Sequence, residues 1–372
     1  MLRTISEAPA RLESLDVFRG LTIAAMILVS TPGTWTAVYA PLDHAIWNGW
    51  TPTDLVFPFL LFAMGAALPF ALSRRRGEPR GIRRHVLRRA ALLFALGLLL
   101  NAIETAPPLN LETFRIPGVL QRIALVYAAV AALTERTSLR TQVLAALAGL
   151  FGYWALLTLV PVPGIGAGVL TPEGNLASYI DRAVLGHHLL TPVYDPEGLL
   201  STIPAIATAL AGIFAGTWLK EGSGHRRTLT LWSAGFAAMV AGFAWGRVFP
   251  INKNLWTSSF ALFSAGLAAQ TIAICHWLID TLRWRTWSRP LAAYGRNTLA
   301  VYFLSVGFDA VLTRWRVGDG SLKGVFYRAA FASWLRPCCG AEAASLAYAV
   351  AYVALWGMVL FEMHRHRIFI SI

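Results

Sequence analysis

HAIWNGWTPTDLVFPFLLFAMG, residues 44–65, decides the reading of this chain. The stretch opens with a histidine, an amide and a carboxylate (His44, Asn48 and Asp54) and then runs into an apolar segment long enough to enter a bilayer. Ionisable groups at the mouth of a membrane helix are costly to keep there unless they are used. Thr51-Pro52-Thr53-Asp54 reads as a helix start, with Thr51 as the cap, Pro52 in the first turn and Asp54 three residues after the cap. A carboxylate at that position suits the helix dipole without any chemical role. The same carboxylate can also fix the tautomer of a nearby imidazole. His44 sits in a loop, where a lone histidine is by default a solvated bystander. Its neighbours argue otherwise: Trp47 and Trp50 are interfacial anchors, and Asn48 offers both a donor and an acceptor. An imidazole titrating near about 6.5 accepts a proton close to neutral pH.

The rest of the sequence reads as a scaffold for that mouth. Of 372 residues, 56% are hydrophobic and 14% charged, against about 25% charged in a soluble domain. The expected fold is therefore an all-α polytopic integral membrane protein in one domain, residues 1–372. About twenty apolar residues cross a bilayer core. Ten segments meet that test: 16–36, 53–73, 86–104, 116–134, 141–160, 198–219, 229–248, 256–279, 290–312 and 342–362. The net charge of +13 is assigned to topology rather than to nucleic acid. One set of alternate loops carries most of it: Arg3 and Arg11; Arg74, Arg75, Arg76, Arg80, Arg83, Arg84, Arg88 and Arg89; Arg136 and Arg140; Lys220, Arg226 and Arg227; Arg283, Arg285 and Arg289; Arg365 and Arg367. The positive-inside rule then places both termini in the cytoplasm and His44 outside. Two outside segments are long, 161–197 and 313–341, and the second has an amphipathic pattern suited to the membrane surface. The three cysteines make no disulfide framework, and no metal-ligand spacing appears.

Several polar residues inside or beside the apolar runs are candidates for binding. Gln121 and Arg122 lie in RIPGVLQRIALVY. A buried arginine there faces an anion, or pairs with a carboxylate such as Asp16, Asp54 or Glu104. Asp16 and Arg19 stand three apart near the start of the first helix. They either pair with one another, with Asp16 capping the helix, or Arg19 and the helix N-terminus face a phosphate. Arg296 and Asn297 in YGRNTL invite the same reading. Asn252, Lys253 and Asn254, in PINKNLW, suit sugar hydroxyls or a carboxylate, or form a plain turn. Glu197 stands at the outer start of the 198–219 segment, where it serves as a cap or a ligand.

These blocks, taken together, resemble the heparan-α-glucosaminide N-acetyltransferase family. LESLDVFRGLTIAAMILV, DHAIWNGWTPTDLVFPFLLFAMG, RIPGVLQRIALVY, DPEGLLSTIPAIATALAGIFAG, PINKNLWTSSFALFSAG and AAYGRNTLAVYF occur in the family's order, from about residue 12 to 310. The resemblance implies a transmembrane acyltransferase moving an acetyl group from cytosolic acetyl-CoA to an amino-sugar acceptor across the membrane, as a homodimer. The family's catalytic histidine falls on His44. Charge counting had already placed that residue on the far side. After the first helix the family usually carries an asparagine, whereas this chain reads Ser30-Thr31-Pro32-Gly33, leaving Ser30 or Thr31 as the hydrogen-bonding candidate there. Arginine outnumbers lysine about tenfold, which points to a high-GC bacterium and its inner membrane. Two readings compete: a permease or flippase for a sugar-containing substrate, and an O-acyltransferase of an envelope polysaccharide.

Overall fold

The computed structural model describes residues 12–73, 79–105, 110–222, 224–366 and 368. The topology residues Arg3, Arg11, Arg74, Arg75, Arg76 and Arg367 lie outside them. The chain is helical almost throughout. The long helices are α1 (Glu13–Ser30), α2 (Val56–Ser73), α3 (Pro79–Thr105), α4 (Val119–Arg136) and α5 (Leu139–Leu159). A short α6 (Leu176–Leu185) precedes α7 (Thr202–Lys220), α8 (His225–Trp245) and α9 (Ser258–His276). Next come α10 (Arg289–Arg296), α11 (Thr298–Arg314), α12 (Leu322–Tyr327), α13 (Ser333–Cys339) and α14 (Ala341–Arg365). The strands described are β1 (Arg316–Val317) and β2 (Gly320–Ser321), an antiparallel ribbon ahead of α12.

Among the described residues, seven helices are long and apolar enough to cross a membrane. The other three expected segments are helical but fail for identifiable reasons. The segment 16–36 ends as helix at Ser30, and α1 carries Glu13, Asp16 and Arg19. The helix within 116–134 starts only at Val119 and holds Arg122, Glu135 and Arg136. The segment 290–312 is broken at Asn297 into α10 and α11.

Burial separates the bundle's centre from its rim. The spans containing α2, α7 and α9 are 56%, 61% and 61% buried, against 28%, 22%, 22% and 33% for those of α3, α5, α8 and α14. The central contact of α2 with α7 rests on small residues. A methyl group at Gly212 or Gly216 would overlap the carbonyls of Phe62 or Ala66, and one at Gly65 would overlap that of Ala209. Backbones this close exchange dispersion contacts over the whole crossing, the main attraction available between helices in lipid. α1 meets α10 in the same way, through Gly20 and Gly295. Fully buried Trp256, at the foot of α9, packs edge-on against Phe57 of α2 with ring centroids 5.1 Å apart. The mouth of α2 is thereby tied to the loop ahead of α9.

Candidate functional site

Pro52–Leu55 forms a single 3-10 turn that leads directly into α2. The expected cap is present: the Thr51 backbone N–H donates to Asp54 Oδ2 at 2.9 Å, and the Thr51 hydroxyl donates to the same oxygen at 3.2 Å. Ala45 N–H adds a third donor to Oδ2, at 3.1 Å. The other carboxylate oxygen, Oδ1, lies 2.6 Å from His44 Nδ1. One carboxylate therefore closes the helix end and anchors the imidazole together. Exposure differs sharply across the pair: the Asp54 side chain is fully buried and the His44 side chain is 47% exposed. A buried carboxylate bonded to Nδ1 selects the tautomer with hydrogen on that nitrogen, which leaves Nε2 as the basic one.

The loop carrying His44 is held from two sides. Gly49, at φ 99°, donates its N–H to the Ile251 carbonyl at 2.7 Å and pairs with Asn252 in a parallel bridge. The buried Asn252 amide donates to Asn48 Oδ1 at 3.1 Å and accepts from Leu255 N–H at 2.8 Å. Asn48 itself stays exposed, while Lys253 and Asn254 are half-buried in the adjoining turn. Trp47 donates to the Leu170 carbonyl at 2.8 Å and meets Tyr194 edge-on, which draws the 161–197 segment over the mouth. His44, Asn48, Trp47, Asp54 and the Asn252 turn thus come together as one site. Ser30 is half-buried at the end of α1, and neighbouring Thr31 donates its hydroxyl to the Ile27 carbonyl at 2.8 Å.

Other expected residues stand elsewhere. Arg122 does not pair with Asp16, Asp54 or Glu104. It is fully buried, donates to the Gly198 carbonyl at 3.0 Å and to the Ser201 hydroxyl at 2.5 Å, and lies over the Trp256 ring at 5.2 Å. Glu197 does not cap the next helix, because α7 begins at Thr202. It accepts instead from Arg115, at 2.6 Å. The same guanidinium makes two parallel bonds of 2.8 Å to Asp195. Burial drives the Asp195 carboxyl up, and Arg115 more than reverses this, holding it below the usual carboxylate range. Nearby Asp181, with its Oδ1 accepting from Leu199 N–H at 2.8 Å, is pushed by burial up to about 6. Gln121 is also buried and donates to the Ile116 carbonyl at 3.0 Å. Arg115, Asp195 and Asp181 were not singled out from the sequence. The first two open the RIPG and DPEG blocks, and that shared opening position was the signal available.

A cavity lies along the other half of α2. A space of about 320 Å³ is lined by Asp16, Arg19, Leu60, Ala71, Arg89 and Thr298, among others. At 1.5 Å per residue it follows α2 for about 16 Å, and its end at Leu60 lies about 9 Å along the chain from Asp54. Arg89 stands over the Tyr127 ring at 4.9 Å. Asp16 lies 3.9 Å from Arg296, which also meets the His364 ring at 3.1 Å. Asn297 donates to the Ile368 carbonyl at 3.2 Å. Arg19 thus lines the cavity, while Arg296 and Asn297 join α10 and α11 to the C-terminal end of the chain.

A helical bundle with seven helices long and apolar enough to cross a membrane, an imidazole–carboxylate pair at one helix mouth and a cavity running along the same helix defines the class: a polytopic membrane protein. The chain belongs to the heparan-α-glucosaminide N-acetyltransferase family, whose catalytic region, described as "Heparan-alpha-glucosaminide N-acetyltransferase, catalytic", matches residues 11–248. Similar proteins include the heparan-α-glucosaminide N-acetyltransferase of Homo sapiens, 28% identical over 98% of this chain and 60% of its own length. That of Mus musculus is 29% identical over 83% of this chain and 55% of its own. The chain therefore spans less than two thirds of the curated relatives it matches.

Proposed function

We propose that this protein transfers an acetyl group from acetyl-CoA, bound from the cytoplasmic side, to the amine of a glucosamine-type sugar on the opposite face. The proposal includes ten membrane passes with both termini cytoplasmic, and a homodimer as the assembled form. The observation that carries it is the 2.6 Å bond between His44 Nδ1 and the buried Asp54. That bond leaves Nε2 as the base of a half-exposed ring at a helix mouth. His44 Nε2 takes the amine proton as the nitrogen attacks the thioester carbonyl. The C–S bond breaks, the amide forms, and His44 returns the proton to the departing thiolate, so the imidazole ends neutral. Asp54 supports the imidazolium in between. Asn48, held by Asn252, or Ser30 donates to the developing oxyanion. Trp47, Lys253 and Asn254 form the acceptor's surface over the buried Asn252, and Glu197 stays in the Arg115 cluster.

The donor's place is the cavity along α2. Its volume falls at the lower end of small-molecule sites, about 300–1,000 Å³. Arg19 and Arg89 bring positive charge to one end for phosphates, and the apolar wall from Leu60 to Ala71 suits an extended chain leading toward Asp54. Gln121 and Arg122 brace the helix that forms the cavity's third wall. Arg296 and Asn297 fix the start of α11, whose Thr298 and Leu299 close it.

The test is acetyl transfer by purified protein in liposomes, with labelled acetyl-CoA and glucosamine. Wild type should form product and His44→Ala should not. Arg19→Ala combined with Arg89→Ala should raise the KM for acetyl-CoA with little change in kcat. Full transfer by His44→Ala would end the proposal.

A further inference from the structure

The outer end of the bundle carries a groove that the acyl-transfer reading does not use. It opens between α11, α12 and α14, holds about 510 Å³, and is walled by Phe308, Leu312, Phe326, Tyr352, Leu355 and Met358. Its floor contains a charge, but a neutralised one. Lys323 is buried, with Nζ 2.8 and 3.0 Å from the two oxygens of Asp309, and lies over the Tyr348 ring at 5.6 Å. Phe326 and Met358 are 56% and 64% exposed. In a membrane protein such side chains face lipid tails, and here they enclose a recess rather than a flat wall.

The segment that contributes Leu322, Phe326 and Phe331 to the groove has the opposite character at its exposed positions, which we take as the groove's rim. Arg316, Arg328 and Arg336 are exposed along β1, the turn after α12, and α13, and among residues 314–336 the acidic member is Asp319. Trp315 and Trp334 are 63% and 60% exposed beside them. Tryptophans of this kind settle at headgroup depth. Guanidiniums at headgroup depth attract phosphate and repel cationic groups. An apolar slot below headgroup level and a basic rim at that level are the two halves of one amphiphile's outline.

We infer that this groove seats an acyl chain of an anionic phospholipid, with Arg328 and Arg336 on its phosphate. The occupant is anionic because residues 314–336 carry net positive charge, with Asp319 as their carboxylate, and this outweighs the exposed Glu342 at the start of α14. It is a lipid rather than a second copy of the chain because three exposed arginines would face their own kind across a symmetric contact.

Native mass spectrometry of the protein in mild detergent tests this, with phosphatidylglycerol and phosphatidylcholine added in equal amounts. Wild type should retain phosphatidylglycerol with roughly a tenfold preference or more, given about 1 kcal/mol per basic residue near an anionic headgroup. Arg328→Gln with Arg336→Gln, both at exposed positions, should bring that preference near unity. Leu355→Trp, which fills the slot from a partly exposed position, should lower retention of both lipids. Equal retention of the two lipids by wild type would overturn the inference. So would a Leu355→Trp protein that changes its subunit stoichiometry while keeping its lipid, which would assign the groove to a second copy. Neither outcome touches acetyl transfer, which is read separately.

Discussion

Two charged constellations stand at the N-terminal ends of the central helices α2 and α7, and they differ in one respect. At the mouth of α2, His44 meets Asp54 with its ring 47% exposed. At the approach to α7, Arg115 meets Asp195 and Glu197 with side-chain exposures of 17%, 0% and 7%. Both use short bonds to a buried carboxylate. The first holds a group that can change its protonation in reach of solvent. The second seals charge against charge with a fork that cannot deprotonate. The difference separates a pair suited to chemistry from a pair that fixes a loop. It also explains why the sealed cluster has the more demanding energetics: breaking it strands a charge inside.

The comparison can be broken at four points. His44→Ala should cut transfer by roughly 10²–10⁴-fold while leaving thermal unfolding nearly unchanged, since the side chain is half solvated. A large fall in Tm would mean that His44 belongs with the structural pairs. Arg115→Ala should do the reverse, destabilising the fold by about 3–5 kcal/mol through the uncompensated Asp195. Thermal unfolding in detergent reads it, and retained stability would demote the cluster to ornament. Asp54→Asn sits between the two. It keeps much of the cap but loses the imidazolium's partner, so a fall in kcat of about 10–100-fold with little change in KM is expected. The smallest effect shows only in a pH scan. Asp181 titrates at about 6 in the folded protein, above its ordinary 3.8. Ionising it costs the folded state more than the unfolded chain, so its contribution is whole below about 3.8, declines through the window up to about 6, and stays lost above it. Asp181→Asn keeps an acceptor for Leu199 N–H. The Tm difference between variant and wild type should therefore grow over that window and then level off; a difference that is flat with pH would contradict the burial assigned to Asp181.

The legible part of the sequence was the part encoded locally. Thr51, Pro52 and Asp54 form their cap within four residues, and the structure reproduces it. The apolar runs of α2, α3, α5, α7, α8, α9 and α14 declare themselves by length and composition. What stayed hidden depends on distant partners. Arg115 and Asp195 are separated by 80 positions, and no local pattern says which loop folds over which helix. Arg122 was recognised as costly, but its real environment is a carbonyl, a hydroxyl and an indole face rather than any of the three carboxylates considered. Interior partners need not be ions, and composition cannot rank them. Asn297 illustrates a third case: a polar residue inside an apolar run marks the break between α10 and α11, where the run alone reads as one helix.

The glycine contact between α2 and α7 carries a mechanical consequence. Gly65, Gly212 and Gly216 bring the two backbones so near that neither helix can slide or roll on the other without collision. α2 bears Asp54 at one end and a wall of the cavity along its length, so the imidazole's anchor and that wall form the stator of the machine. Any widening for the donor proposed above falls to the rotor side, to α3, whose span is 28% buried against 56% for that of α2. A crosslink between α2 and α7 should leave turnover intact, and one between α2 and α3 should stall it.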